Sequence, residues 1–238
     1  MPSSSDTFAL IFIGAGAGAV VGDGVGLPGL IAIAFAHGLT VMAFAFAYGS
    51  VSGGHFNPSV TVGVLAAGAM GTGEAIGYIV SQLVGGVAGA LFLTAVLGGT
   101  ATGLGTPALA HNLALGATSL TITPAAGFMI EAVLAFFLVT VVLSAAVAGR
   151  AGNLAPLAIG MTLTLNIIMG GALTGAAFNP ARALGPMFAT GNFNDAWLYL
   201  TAPIVGAIVA ALLHTGLTRL AQVGMAAEPS RVAQTPAE

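Results

Sequence analysis

The sequence predicts an all-α membrane protein with six transmembrane helices and two half-helices, arranged as an inverted repeat. Three observations carry this prediction. Of the 238 residues, 57% are hydrophobic and only 5% are charged, against about 25% charged in a typical soluble domain. The sequence Phe-Asn-Pro occurs twice, at Phe56-Asn57-Pro58 and Phe178-Asn179-Pro180, each time after a loop of small residues. Three long apolar runs accompany each copy. An odd number of spans per half requires the halves to lie in the membrane with opposite topology.

The elements follow in order. The first span covers residues 8–21 and can begin a few residues earlier; the breaker-rich turn 22–29 ends it. The second span, 30–49, carries His37, and the loop 50–56 leads into a short helix from Asn57 to about Ala67. Asn is a good N-cap, and Pro suits the first helical position because its missing N–H would have no partner there. The third span is 75–97, just after Glu74, and a Gly/Thr/Ala-rich connection, 98–123, contains His111. The fourth span, 124–147, carries Glu131, and a tight turn at 149–153 precedes the fifth, 156–169. A second loop, 170–178, feeds the second short helix from Asn179, and the sixth span runs from 196 to about 217 near His214. Residues 1–225 are expected to form one channel domain, with repeats at about 7–97 and 124–220 and a disordered polar tail at 226–238.

Composition excludes several classes. With no cysteine there are no disulfides or thiolate metal sites. The net charge of −3 leaves no basic surface for nucleic acid. No nucleophile–base pair or metal cluster is evident, so neither an enzyme nor a cofactor is expected. The N-terminal residues lack a basic region, and no cleavable signal peptide is expected. The stripe Gly14-Ala15-Gly16-Ala17-Gly18 fits a loose dinucleotide fingerprint, but no strand precedes it, and it is read as helix packing. Arg150, Arg219 and Arg231 fall on one side of the membrane together with both termini, which the positive-inside rule makes cytoplasmic.

Each Asn-Pro helix is too short to cross about 30 Å of hydrocarbon. Irregular backbone at that depth survives only where protein or a water-filled cavity covers it, so the loops are expected to line a pore. Two facing helix N-termini bring two positive dipole ends to mid-membrane. The amides of Asn57 and Asn179 would add N–H donors there, orienting water and interrupting a proton-conducting chain. Arg182, three residues past Asn179, is a costly intramembrane cation that is expected to face the cavity. His37 either lines that cavity or is a satisfied core histidine, and His55 either lines it or braces its loop. Glu131 is expected to bind buried backbone N–H groups as a structural brace.

With the double motif and Arg182 in view, the chain resembles the aquaporins of the major intrinsic protein family over about residues 7–220. The matching segments are Ser52-Gly53-Gly54-His55-Phe56-Asn57-Pro58, Pro156-Leu157-Ala158-Ile159-Gly160, Asn179-Pro180-Ala181-Arg182 and Pro203-Ile204-Val205-Gly206. The resemblance implies the aquaporin-like hourglass, a homotetramer in membrane lipid with one pore per subunit, and passive flux of water and small neutral solutes; a plasma (inner) membrane is the expected location. It places the central constriction at Asn57, Pro58, Ser59, Asn179, Pro180 and Ala181. It places a selectivity filter at His37, Ile167, Ala176 and Arg182, a set most similar to plant tonoplast intrinsic proteins, some of which pass ammonia. In those a histidine of the third loop joins the filter, and His111 is placed to do so. The filter is expected to be wider than a Phe/His one, with a glycerol-type facilitator as the alternative and a coupled secondary transporter as the more distant rival. Two departures stand out: Ser59 replaces the usual Ala, and the family's first-span glutamate falls here at about Ser3, so the first loop is expected to lack its brace.

Overall fold

The computed structural model describes residues 2–22 and 26–227. Eight helices carry the architecture: α1 (Ser4–Val21), α2 (Gly26–Ser52), α3 (Pro58–Ala66), α4 (Thr72–Leu97), α5 (Pro124–Val147), α6 (Ala155–Thr174), α7 (Pro180–Thr190) and α8 (Ala196–Ala227). Six of them are long and apolar enough to cross a membrane; α3 and α7 are not. The protein is a multi-pass integral membrane protein.

Packing obeys a two-fold exchange of the halves. Helix α1 packs on α4 as α5 packs on α8, and α3 packs on α8 as α7 packs on α4. Helices α2 and α6, equivalent to each other, meet directly. Their crossing is glycine against glycine: a Cβ on Gly38 would fall 2.5 Å from the Gly160 carbonyl oxygen, and one on Gly160 equally close to that of Gly38. Lipid offers no hydrophobic drive for helices to associate, so such backbone approach supplies the van der Waals contact that holds them together.

The distribution of polarity is inside out. Large apolar side chains such as Val20, Val84, Leu165 and Leu212 are exposed on the outer faces, whereas Asp6, His37, Asn57, Gln82, Glu131, Asn179 and Arg182 are buried. Polar groups held at the centre of six apolar spans belong to a lumen or to its supports.

Several boundaries differ from the sequence-based expectation. Helix α6 continues to Thr174, not 169, because Gly170 and Gly171 are packing residues rather than breakers. Their missing Cβ atoms would come within 2.6 Å of Leu134 and Leu30. Gly175, at φ 78°, is the true terminator, in the left-handed conformation common at helix C-termini. Helix α8 extends to Ala227, so the first two residues of the expected tail are helical, and residues 228–238 lie outside the described part. Helix α1 begins a few residues before residue 8, as the sequence allows, and widens unexpectedly into a π-helical turn over Leu10–Ala15. The connection 98–123 contains an antiparallel hairpin, β1 (Leu113–Leu115) with β2 (Thr118–Leu120).

Candidate permeation pathway

The two loops before α3 and α7 meet at the centre of the molecule. Asn57 caps α3, its Oδ1 accepting from the Ser59 N–H at 2.8 Å. Asn179 caps α7, its Oδ1 accepting from the N–H groups of Ala181 (3.0 Å) and Arg182 (3.2 Å). Because a backbone N–H only donates, both amides are fixed with nitrogen away from their own helix. Each Nδ2 then donates to the opposite loop: Asn57 to the Phe178 carbonyl and Asn179 to the Phe56 carbonyl, both at 3.0 Å. One N–H of each amide is thus used in a cross-link, which leaves one more donor on each. Ser59 adds a hydroxyl to the same junction, 2.8 Å from Asn57 Oδ1 and 3.1 Å from the Phe178 carbonyl.

The carbonyls of Phe56 and Phe178 can be shared in this way because both residues have positive φ, 54° and 29°; Ala176 is also positive at 40°. Non-glycine residues in this region cost on the order of 1–3 kcal/mol each and persist only when their surroundings hold them. In the second loop the holder is Glu131, wholly buried, which accepts from Thr174 Oγ1 (2.6 Å), the Ala177 N–H (3.0 Å) and the Phe178 N–H. Tyr199 adds its hydroxyl to the Thr174 carbonyl at 2.7 Å.

The first loop is braced too, contrary to the expectation that placed the lost carboxylate near Ser3. Asp6 is fully buried and accepts from Ser52 Oγ at 2.7 Å; Ser52 Oγ in turn accepts from the Gly54 N–H, as Thr174 Oγ1 accepts from that of Ala176. The aspartate, one methylene shorter, works through a hydroxyl relay where the glutamate also reaches two backbone N–H groups. His55 Nδ1 lies 3.0 Å from Thr61 Oγ1, and its ring lies against Tyr78 while also lining the lumen.

Two small chambers flank the Asn pair. One, about 10 Å³, is lined by His37, Ile167, Ala176 and Arg182, together with Leu10, Leu163 and the segment Ala177–Asn179. The other, about 20 Å³, is lined by Asn57, His55, Val60 and Leu138, and it shares Leu10, Leu163 and Asn179 with the first. It opens beyond Gly54 and Ile159 toward a half-polar vestibule of about 550 Å³ that includes Gly152 and Asn153, on the Arg150 side. A site needs roughly 10–15 Å³ to hold one water, so both chambers are of single-file size. The chamber at His37, Ile167, Ala176 and Arg182 has room for about one water. Leu10 and Leu163, which sequence reading did not single out, also line this chamber.

Arg182 is held by the third loop: Nη1 donates to the Gly105 carbonyl at 2.8 Å, while Nε has no protein partner. His111 does not reach the filter. It is exposed just before the hairpin and lines neither chamber, and it is a backbone carbonyl of that loop that contacts the arginine. His37 Nδ1 donates to the Ile33 carbonyl at 2.9 Å, and its Nε2 is buried with no partner. A carbonyl can only accept, so Nδ1 carries the proton of the neutral ring and Nε2 is an acceptor. The lining of this chamber thus includes both an imidazole acceptor and a guanidinium donor.

Residues 5–214 match the family model described as Major intrinsic protein. The chain belongs to the major intrinsic protein family. It is 37% identical to Aquaporin NIP1-2 of Oryza sativa subsp. japonica over 209 residues, covering 86% of this chain and 66% of that one. It is 36% identical to Aquaporin TIP1-2 of Zea mays over 216 residues, covering 87% and 81%. Among solved structures, the aquaglyceroporin from Plasmodium falciparum superposes with a TM-score of 0.76 at 22% identity, covering 93% of this chain and 97% of that one, a likeness of fold. The likeness to TIP-type aquaporins is thus one of overall sequence. This major intrinsic protein is a passive channel and not an enzyme, and its six spans with two half-helices are the aquaporin fold.

Proposed function

We propose that the chain conducts water in single file and that its His37/Ile167/Ala176/Arg182 filter also admits ammonia. The observation that carries this reading is the pairing of an acceptor, His37 Nε2, with Arg182 donors at a chamber of about 10 Å³. Water satisfies both sides, and so does ammonia, with three N–H bonds and a lone pair. A filter walled by an aromatic hydrocarbon would offer ammonia no acceptor. Glycerol, with six heavy atoms, fits a one-water constriction poorly. The two capped helix N-termini and the Arg182 charge oppose cations and protons. Coupled transport would need an ionisable or ion-coordinating site in the lumen; among the described residues the buried carboxylates, Asp6 and Glu131, instead hold the loops.

The same reading gives each subunit of a homotetramer its own pore and sets the protein in a plasma (inner) membrane. Both termini are then cytoplasmic, on the side of Arg150 and Arg219. The test is stopped-flow light scattering on proteoliposomes under osmotic shock, followed by an ammonium gradient read with an internal pH dye. The parent should shrink fast with a low activation energy and alkalinise with ammonia. His37→Phe should lose most of the ammonia flux, and Arg182→Val should leak protons. Water flux with no ammonia flux would remove the ammonia assignment, and no flux above empty vesicles would remove the channel assignment.

A further inference from the structure

We propose that Gly14 sets the bore of the filter by giving the His37 imidazole its seat against helix α1. The proposal rests on the reading of His37 as a filter residue. Gly14 lies in the π-helical turn Leu10–Ala15, one turn from Leu10, which lines both chambers. A Cβ at Gly14 would fall 2.6 Å from His37 Cδ2 and 2.8 Å from both Cγ and Nε2. Carbon atoms in ordinary contact stand about 3.5–4.0 Å apart, so an added methyl must drive the ring away by about 1 Å. His37 forms part of the wall of the filter chamber and Gly14 does not, so the ring stands between the glycine and the lumen. The Nδ1 bond to Ile33 restrains the ring from swinging along its own helix. The retreat is therefore into a chamber of about 10 Å³, which has no room to give up.

The other glycines of the Gly14–Gly18 stripe differ. A Cβ at Gly16 would meet Leu93 Cδ1 at 3.3 Å, a flexible methyl, and one at Gly18 would meet the Gly105 Cα at an ordinary 3.6 Å. Packing alone accounts for those two positions. At Gly14 three atoms of one rigid ring occupy the space, and that ring carries an unpartnered nitrogen. The position of the His37 wall of the chamber is thus a property of two residues on two helices, and the ring has its place because residue 14 lacks a side chain.

The experiment compares Gly14→Ala, His37→Ala, the double variant and the control Gly77→Ala, whose added methyl meets nothing within 4 Å. The full chain is reconstituted and read by osmotic water permeability and by glycerol permeability. Gly14→Ala should lower water permeability at least ~10-fold, a barrier rise of about 1.4 kcal/mol, while Gly77→Ala stays at the parent value. In the His37→Ala background the same substitution should cost nothing. An equal loss with and without His37 would make Gly14 a packing residue and overturn the proposal, as would no loss at all. If Gly14→Ala fails to reconstitute, recovery of the double variant supports the clash and its failure refutes it. If His37→Ala alone leaves both permeabilities at the parent values, the filter reading itself fails, an outcome distinct from the others.

Discussion

Replacing Glu131 with Gln should destabilise the protein far more than its near-isosteric size suggests. The carboxylate accepts three hydrogen bonds: Thr174 Oγ1 and the Ala177 N–H on one oxygen, the Phe178 N–H on the other. A glutamine carbonyl oxygen can keep the first pair, but its NH2 group then faces the Phe178 N–H, donor against donor. That buried N–H is orphaned at the residue whose carbonyl receives Asn57 and whose φ is 29°. An orphaned buried donor costs about 1–3 kcal/mol, and the lost bond was to a carboxylate, which places the total near ~3 kcal/mol. At roughly 2–4 °C per kcal/mol for a chain of this size, the melting midpoint should fall by ~6–12 °C. Asp6→Asn is the matched control: an amide oxygen can still accept from Ser52 Oγ, so its midpoint should move by less than half as much. The assay is thermal unfolding of detergent-solubilised protein by circular dichroism. Equal midpoints for Glu131→Gln and the parent, or a larger drop for Asp6→Asn, would refute the bracing argument.

Two further outcomes can be checked with the same preparations. Ser59→Ala removes one hydroxyl from the Asn57–Phe178 junction and should cost about 0.5–1.5 kcal/mol while leaving water permeability near the parent value, since Asn57 keeps its backbone cap. Gly38→Ala inserts a Cβ 1.9 Å from Thr164 Oγ1 and 2.5 Å from the Gly160 carbonyl. Overpacking of this kind typically costs about 1–3 kcal/mol, and here both obstacles sit at the α2–α6 crossing, so size-exclusion chromatography should show loss of monodisperse protein.

The architecture was largely legible because its signals are both periodic and duplicated. Twenty-residue apolar runs are hard to mistake, and two copies of Phe-Asn-Pro in corresponding places of the halves point to a shared central site. The structure brings His37, Ile167, Ala176 and Arg182 around one chamber, as local alignment suggested. What escaped depended on reach and on neighbours. Asp6 was overlooked because its brace acts through Ser52, a contact 46 residues away that no local pattern encodes. Leu10 and Leu163 were anonymous members of apolar spans, and only the assembled bundle turns them toward the lumen. Leu163 could have been found as the residue one helical turn before Ile167 on the same face. His111 was placed near the filter by analogy alone, and the fold of its loop presents the Gly105 carbonyl in its stead. Gly170 and Gly171 read as loop because glycine breaks soluble helices, whereas inside this bundle each admits a neighbouring leucine.

The reciprocal bonds between Asn57 and Phe178 and between Asn179 and Phe56 also bear on how the molecule is made. Each links residues more than a hundred positions apart. When the first half emerges from a ribosome and enters the bilayer, the acceptor for Asn57 has not yet been synthesised. The Phe56 carbonyl likewise waits for Asn179. The first re-entrant segment must therefore remain provisional, sheltered or partly withdrawn, until the second copy arrives. Closure of the centre is then a late and mutual event. A chain truncated after α4 keeps the Asp6–Ser52 brace and the Asn57 cap but should leave the Asn57 amide without its acceptor, however correctly its spans are inserted.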